Sequence, residues 1–138
     1  SAEQIQRYRS KLSGPLLDRI DLHLHVAREA TALHANPDSG TSSAQAAATV
    51  AAARQRQEQR QGGANAFLDL QQLRQHCGLS DDDQHWLESA CERLGLSLRA
   101  AHRLLKVART LADLDAVDAI QRSHLAEALH YRPSSPTA

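Results

Sequence analysis

Residues 20–26, IDLHLHV, alternate strictly: Ile20, Leu22, Leu24 and Val26 fall on one side, Asp21, His23 and His25 on the other. Period-two alternation predicts a β-strand. Nothing else in the 138 residues has that period. A lone strand cannot satisfy its own backbone N–H and C=O groups. This feature therefore leaves two choices. Either the strand pairs with a second copy, or its sheet is made by sequence outside this chain.

The rest reads as helix with a period near 3.6. EQIQRYRSKL, residues 3–12, predicts a short helix, interrupted at Gly14-Pro15, where Pro15 can open one further turn, PLLD. A loop over 27–41 carries the turn signals Asn36-Pro37 and Ser39-Gly40 and marks a domain boundary. From Ser43, the Ala-rich SAQAAATVAAARQRQEQRQ starts at a serine cap and stops at Gly62-Gly63. Ala44, Ala47, Val50, Ala51 and Arg54 make its inner side, and the polar end Gln55 to Gln61 is expected to run into solvent.

A second helix is expected at about 69–77, with Leu70, Leu73 and Cys77 inward and Gly78 as its stop. Ser80 caps a third, whose first turn holds Asp81, Asp82 and Asp83, where the helix dipole favours anions; Gly95 ends it. Ser97 caps a fourth, SLRAAHRLLKVARTLADL, with Leu98, Ala101, Leu104, Leu105, Ala108, Leu111 and Ala112 as core face. A last helix spans about 120–130 through Ile120, Leu125, Ala128 and Leu129. The fold class expected is all-α: a bundle of four or five helices over 42–132, preceded by a helix–strand remnant over 1–41 that is partly disordered in isolation, and followed by a disordered tail at 133–138.

Charge narrows the partners. Sixteen basic and sixteen acidic residues cancel, which argues against a nucleic-acid clamp that works by bulk charge. The aromatic share of 3% gives little material for stacking single strands. The basic set is almost all arginine, the residue whose planar fork suits phosphate and carboxylate, although GC-rich coding produces the same bias.

Two arginines occupy unusual places. Arg99 sits in the first turn of a helix capped by Ser97, where free N–H groups already present positive potential. Arg19 precedes the strand on a tight turn. Each has a plainer reading. Arg99, Arg103, Lys106 and Arg109 lie at helical spacing and can form a solvated face or a weak DNA-binding stripe, and Arg19 can pair with Asp18, Asp21 or Glu29.

His23 and His25 share a strand face without a third ligand nearby, so no metal site is expected. Cys77 and Cys91 have no CxxC partner and read as small buried hydrophobes. No GxxxxGK[ST] phosphate cradle, secretory segment or long apolar run is present, so the expected setting is the cytoplasm.

QIQRYRSKLSGPLLDRIDLHLHV, followed by RLGLSLRAAHRLLKVARTLADLD and IQRSHLAEALHYR, resembles the C-terminal part of the magnesium-chelatase-like AAA+ ATPases, in their ComM/YifB-type branch. The resemblance implies that Arg19, in LLDRID, is an arginine finger reaching ATP bound in the adjacent subunit. It implies that Arg99, in LSLRA, is the sensor-2 arginine that touches the phosphates from a helical lid. It implies ATP and Mg²⁺ as cofactors of a longer parent whose Walker A and B motifs lie upstream, so that this stretch alone is inactive. It further implies a homo-oligomeric, hexameric ring whose partners are its own ATPase core, neighbouring subunits and DNA, acting as a branch-migration helicase in natural transformation. The competing readings are a small stand-alone helical DNA-binding module and a protein-interaction domain whose partner docks on the Ala-rich helix.

Overall fold

The computed structural model describes residues 2–11, 14–17, 19–26 and 40–132. The loop expected at 27–41 lies almost wholly outside the described residues, and the tail at 133–138 wholly so. In chain order the helices are α1 (Ala2–Arg9), the single turn α2 (Gly14–Leu17), α3 (Ser43–Gln61), α4 (Leu70–His76), α5 (Asp81–Leu94), α6 (Leu98–Leu114) and α7 (Arg122–His130), with a 3-10 turn at Asn65–Phe67 between α3 and α4. The chain is helical, as its pattern predicts.

Local chemistry sets the helix ends. Ser42, one residue before the expected cap, accepts from the Gln45 N–H while the Gln45 side chain accepts from the Ser42 N–H, a reciprocal capping box. Gly62 ends α3 in the left-handed region at φ 74°, a conformation that costs a side-chain-bearing residue more. Asp69 and Gln72 box the start of α4. That helix closes at Cys77 with φ −117°, so Gly78 lies beyond the stop. Ser80 and Ser97 cap α5 and α6 through the Asp83 and Ala100 N–H groups. At α7 the cap is a histidine: the Gln121 N–H donates to Nδ1 of buried His124, whose Nε2 lies 3.0 Å from Asp115 Oδ2 at the end of α6.

α6 is the central helix, and α3, α4, α7 and the 3-10 turn all pack on it. The core gathers Leu104, Ala108 and Ala112 of α6 with Leu73, Cys77, Leu87, Ala90, Ile120, Leu125, Ala128 and Leu129. Alanines at the α6 seam let neighbouring backbones approach closely. Leu98 departs from the expected core face: it is 73% exposed.

Two further expectations are corrected. Residues 20–26 are extended but form no strand, since no described segment offers them a ladder. Instead the segment lies along α6 and α7, where the His23 N–H donates to the Tyr131 carbonyl at 2.8 Å. The inner face of α3 is also not the expected one. Ala44, Ala47, Val50, Ala51 and Arg54 are exposed, while Ala53 and Gln57 are buried. In the polar end Gln55, Arg56, Glu58 and Gln59 do face solvent, and Gln57, Arg60 and Gln61 are drawn inward by partners described next.

Candidate functional site

Arg19 stands on the turn after α2, which is closed by its N–H donating to the Leu16 carbonyl at 3.0 Å. Its side chain is exposed. Arg99 is the second residue of α6 and is exposed as well. Neither guanidinium enters an ion pair among the described residues. A turn and a helix start thus each present a guanidinium without an ion-pair partner among the described residues.

Their surroundings meet in one cleft of about 260 Å³. Ile20 and Asp21, which directly follow Arg19, form one wall; Gly95, Ser97 and Ala100, which bracket Arg99, form another; Leu104, Val107 and Ala128 line the interior. Arg103, one turn beyond Arg99, lies 3.7 Å from Asp21 across the cleft. Arginine side chains at such a rim can neutralise phosphate oxygens. The chain supplies no Gly-rich cradle to hold a triphosphate, and among the described residues no three His, Cys, Asp or Glu side chains gather as a metal ion requires. The residues present therefore fit contact with phosphates that are bound elsewhere and do not amount to a Mg²⁺ site.

The expected basic stripe is not one continuous solvated face. Arg109 is 2% exposed and donates to the Asp118 and Val117 carbonyls at 2.6 and 2.9 Å. Its position on α6 turns inward because Asp113, four residues on, is buried beside it at 3.2 Å. Lys106 Nζ donates to the Ala66 carbonyl, and Arg103 faces Asp21. Of the four side chains only Arg99 is exposed and unpaired.

Asp113 is the centre of a buried polar network. Arg60 donates to both of its oxygens, at 2.6 and 2.9 Å, and the Asn65 side-chain amide donates to it at 2.9 Å and to Thr110 at 3.0 Å. The Asn65 carbonyl oxygen accepts from Arg60 and Gln61, and its backbone N–H donates to the Gln57 side chain. Burial alone would raise the Asp113 carboxyl, but hydrogen bonds from Arg60 and Asn65 and the nearby charges of Arg109 and Arg60 hold it below the usual carboxylate range. Burial also draws the Arg109 guanidinium down from its ordinary value, though a guanidinium stays charged. Sequence reading missed this network. The available signal was an Arg–Asp pair at i,i+4 flanked by core alanines Ala108 and Ala112.

On the far side, Arg122 Nε donates to Asp83 at 2.8 Å and its guanidinium lies 5.7 Å from the Trp86 ring centroid, tying α7 to α5. No helix among the described residues is long and apolar enough to cross a membrane.

Comparison with known proteins agrees with this architecture. Residues 40–132 match the family model described as magnesium chelatase, subunit ChlI C-terminal, and residues 1–34 match the model for magnesium chelatase, subunit ChlI. The chain is 46% identical over 133 residues to competence protein ComM of Haemophilus influenzae, covering 96% of this chain and 26% of that protein. It is 50% identical over 131 residues to uncharacterized protein YifB of Escherichia coli, covering 94% of this chain and 26% of that protein. Uncharacterized protein Rv2897c of Mycobacterium tuberculosis is 36% identical over 130 residues, which are 92% of this chain and 26% of that protein. The chain thus spans about a quarter of the length of the curated relatives it matches. With more than half its length inside one family model and relatives of 46 and 50% identity over nearly all of it, the chain belongs to the magnesium chelatase ChlI C-terminal family, among the ComM and YifB homologues.

Proposed function

We propose that this chain is the arginine-finger and lid region of a ring-forming, magnesium-chelatase-like ATPase. In this reading Arg19 reaches the γ-phosphate of ATP held by the adjacent subunit. Arg99 contacts phosphates from the lid of its own subunit. ATP and Mg²⁺ are gripped by other segments of a longer protein that works in the cytoplasm as a hexamer and remodels DNA by branch migration during natural transformation.

The observation that carries this reading is that Arg19 and Arg99, both exposed and without an ion pair among the described residues, each directly adjoin residues that line one cleft. Charge developing on a transferring phosphoryl group is stabilised by positioned guanidiniums, and a finger supplied in trans changes the rate by about 10³ to 10⁵. A finger must project from a fixed support, and the Arg19 N–H is hydrogen-bonded to the Leu16 carbonyl. A helix start is the other natural place to meet phosphate. Exposed Leu22, Leu24 and Leu98 are consistent with further protein lying against this side.

The test is ATP turnover in the longer protein. Arg19→Ala should lower turnover by at least about a thousandfold while ATP binding stays near the parent value. Arg99→Ala should weaken nucleotide binding and turnover together. If both variants hydrolyse ATP at the parent rate, this reading is wrong.

A protein-interaction role has one observation in its favour: α3 leaves its alanine-rich half, from Ser43 to Ala52, exposed along its whole length. A DNA-binding module working through Arg99, Arg103, Lys106 and Arg109 has less support, because Arg109 is buried and two of the others are engaged.

A further inference from the structure

Residues 20–26 are amphipathic in the opposite sense to a strand that covers a helical core. Beyond Ile20, which lines the cleft, the apolar side looks outward: Leu22, Leu24 and Val26 are 49, 72 and 88% exposed. The polar side carries the contacts to the bundle. Asp21 Oδ1 lies 3.7 Å from Arg103 Nε on α6. His23 is half-buried, its Nε2 is shielded from solvent without a partner, and its N–H donates to the Tyr131 carbonyl. That carbonyl belongs to the end of α7, where helix carbonyls lack donors of their own. The segment is therefore attached to two helices by its polar side, at points two and four residues beyond Arg19.

We propose that Asp21 and Arg103 act as a latch that couples the turn bearing Arg19 to the helix bearing Arg99. Both are positioning residues, and the proposal rests on the phosphate-contacting roles given above. Arg103 is one helical turn beyond Arg99, so a shift of the α6 start is carried to it through a rigid helix. Asp21 is two residues from Arg19, at most about 7 Å of extended backbone. A displacement at one arginine is thus passed to the other through a single ion pair. In a ring where the finger serves one nucleotide and the lid arginine another, such a pair links neighbouring sites. Its exposure suits a reversible joint: a pair of this kind shifts an equilibrium by no more than about fivefold.

Amide hydrogen exchange at His23 reads the joint directly. In the 138-residue chain, Asp21→Asn and Arg103→Gln should each speed exchange of the His23 N–H by about two- to fivefold, with Leu125 in the core unchanged. The exchanged pair, Asp21→Arg with Arg103→Asp, should return His23 toward the parent rate, which loss of a merely local contact would not do. In the longer protein the single variants should slow ATP turnover and the exchanged pair should restore it. If His23 ignores both single variants, or the exchanged pair behaves as their sum, the latch is refuted whatever the turnover shows. If His23 follows the pair while Arg19→Ala and Arg99→Ala hydrolyse ATP normally, the joint stands and the phosphate reading falls.

Discussion

Arg60 and Asp113, fifty-three positions apart, meet through two hydrogen bonds of 2.6 and 2.9 Å. The pair joins the end of α3 to the end of α6. It explains why Gln57, Arg60 and Gln61 of the polar end of α3 turn inward while the alanines of its first half stay in water. A two-pronged guanidinium–carboxylate contact in a shielded place is stronger than a neutral hydrogen bond, and the same carboxylate accepts from Asn65 and lies 3.2 Å from the Arg109 guanidinium.

Removing the carboxylate leaves two guanidiniums facing each other with no counter-charge. Asp113→Ala should destabilise the bundle by about 3–5 kcal/mol, as loss of one partner from a buried ionic network does. Urea unfolding with an unchanged slope is the measurement. Arg60→Ala should cost less, because Arg109 still neutralises the carboxylate.

The same carboxylate makes stability depend on pH. The folded-state pKa of Asp113 lies below its unfolded value, so its contribution is fully present above about pH 4, the ordinary range for an unfolded aspartate. It is lost as pH falls further, through the folded value, because the unfolded chain takes the proton first. The melting temperature should therefore drop on acidification below about pH 4. Asp113→Asn should flatten that drop while lowering stability at neutral pH.

Ala116 follows the end of α6 with φ 61°, a left-handed conformation that an L side chain adopts at a cost. Ala116→Gly removes the steric penalty and adds some freedom to the unfolded chain. The net outcome should be a gain of about 0.5–1 kcal/mol, read as a rise in melting temperature. A loss would mean that the Ala116 methyl makes contacts worth more than the strain.

Burial pushes the Cys77 thiol up to about 11, the Arg109 and Arg60 charges opposing this only in part. At pH 8 Cys77 should react with alkylating reagents only as fast as the bundle opens. Cys91, less buried and raised in the same direction, should label first. Mass spectrometry of timed alkylation would show the order.

Arg99 is exposed and makes no ion pair among the described residues, so Arg99→Ala should change stability by less than about 0.5 kcal/mol. A slight gain is the expected sign, since a positive charge is removed from a helix N-terminus. Any defect of this variant in ATP turnover would then belong to the site and not to folding.

The helices themselves were legible because their information is local. Ser80, Ser97 and Gly95 mark ends through hydrogen bonds and dihedral preferences that involve only near neighbours, and Leu104, Ala108 and Ala112 mark a face by period alone. The positions of Arg19 on a turn and Arg99 on a first helical turn were legible for the same reason. Tertiary structure decided the rest. Arg109 and Lys106 have the same charge and lie on neighbouring turns, yet one is buried beside Asp113 and the other reaches a surface carbonyl, according to which helices pack beside them. Residues 20–26 carry the alternation of a strand, but a strand is a property of at least two segments. With no ladder partner among the described residues, the His23 N–H goes where a free carbonyl is, at the end of α7. Residue type and spacing determine what a segment can pair with; only the assembled fold determines what it meets.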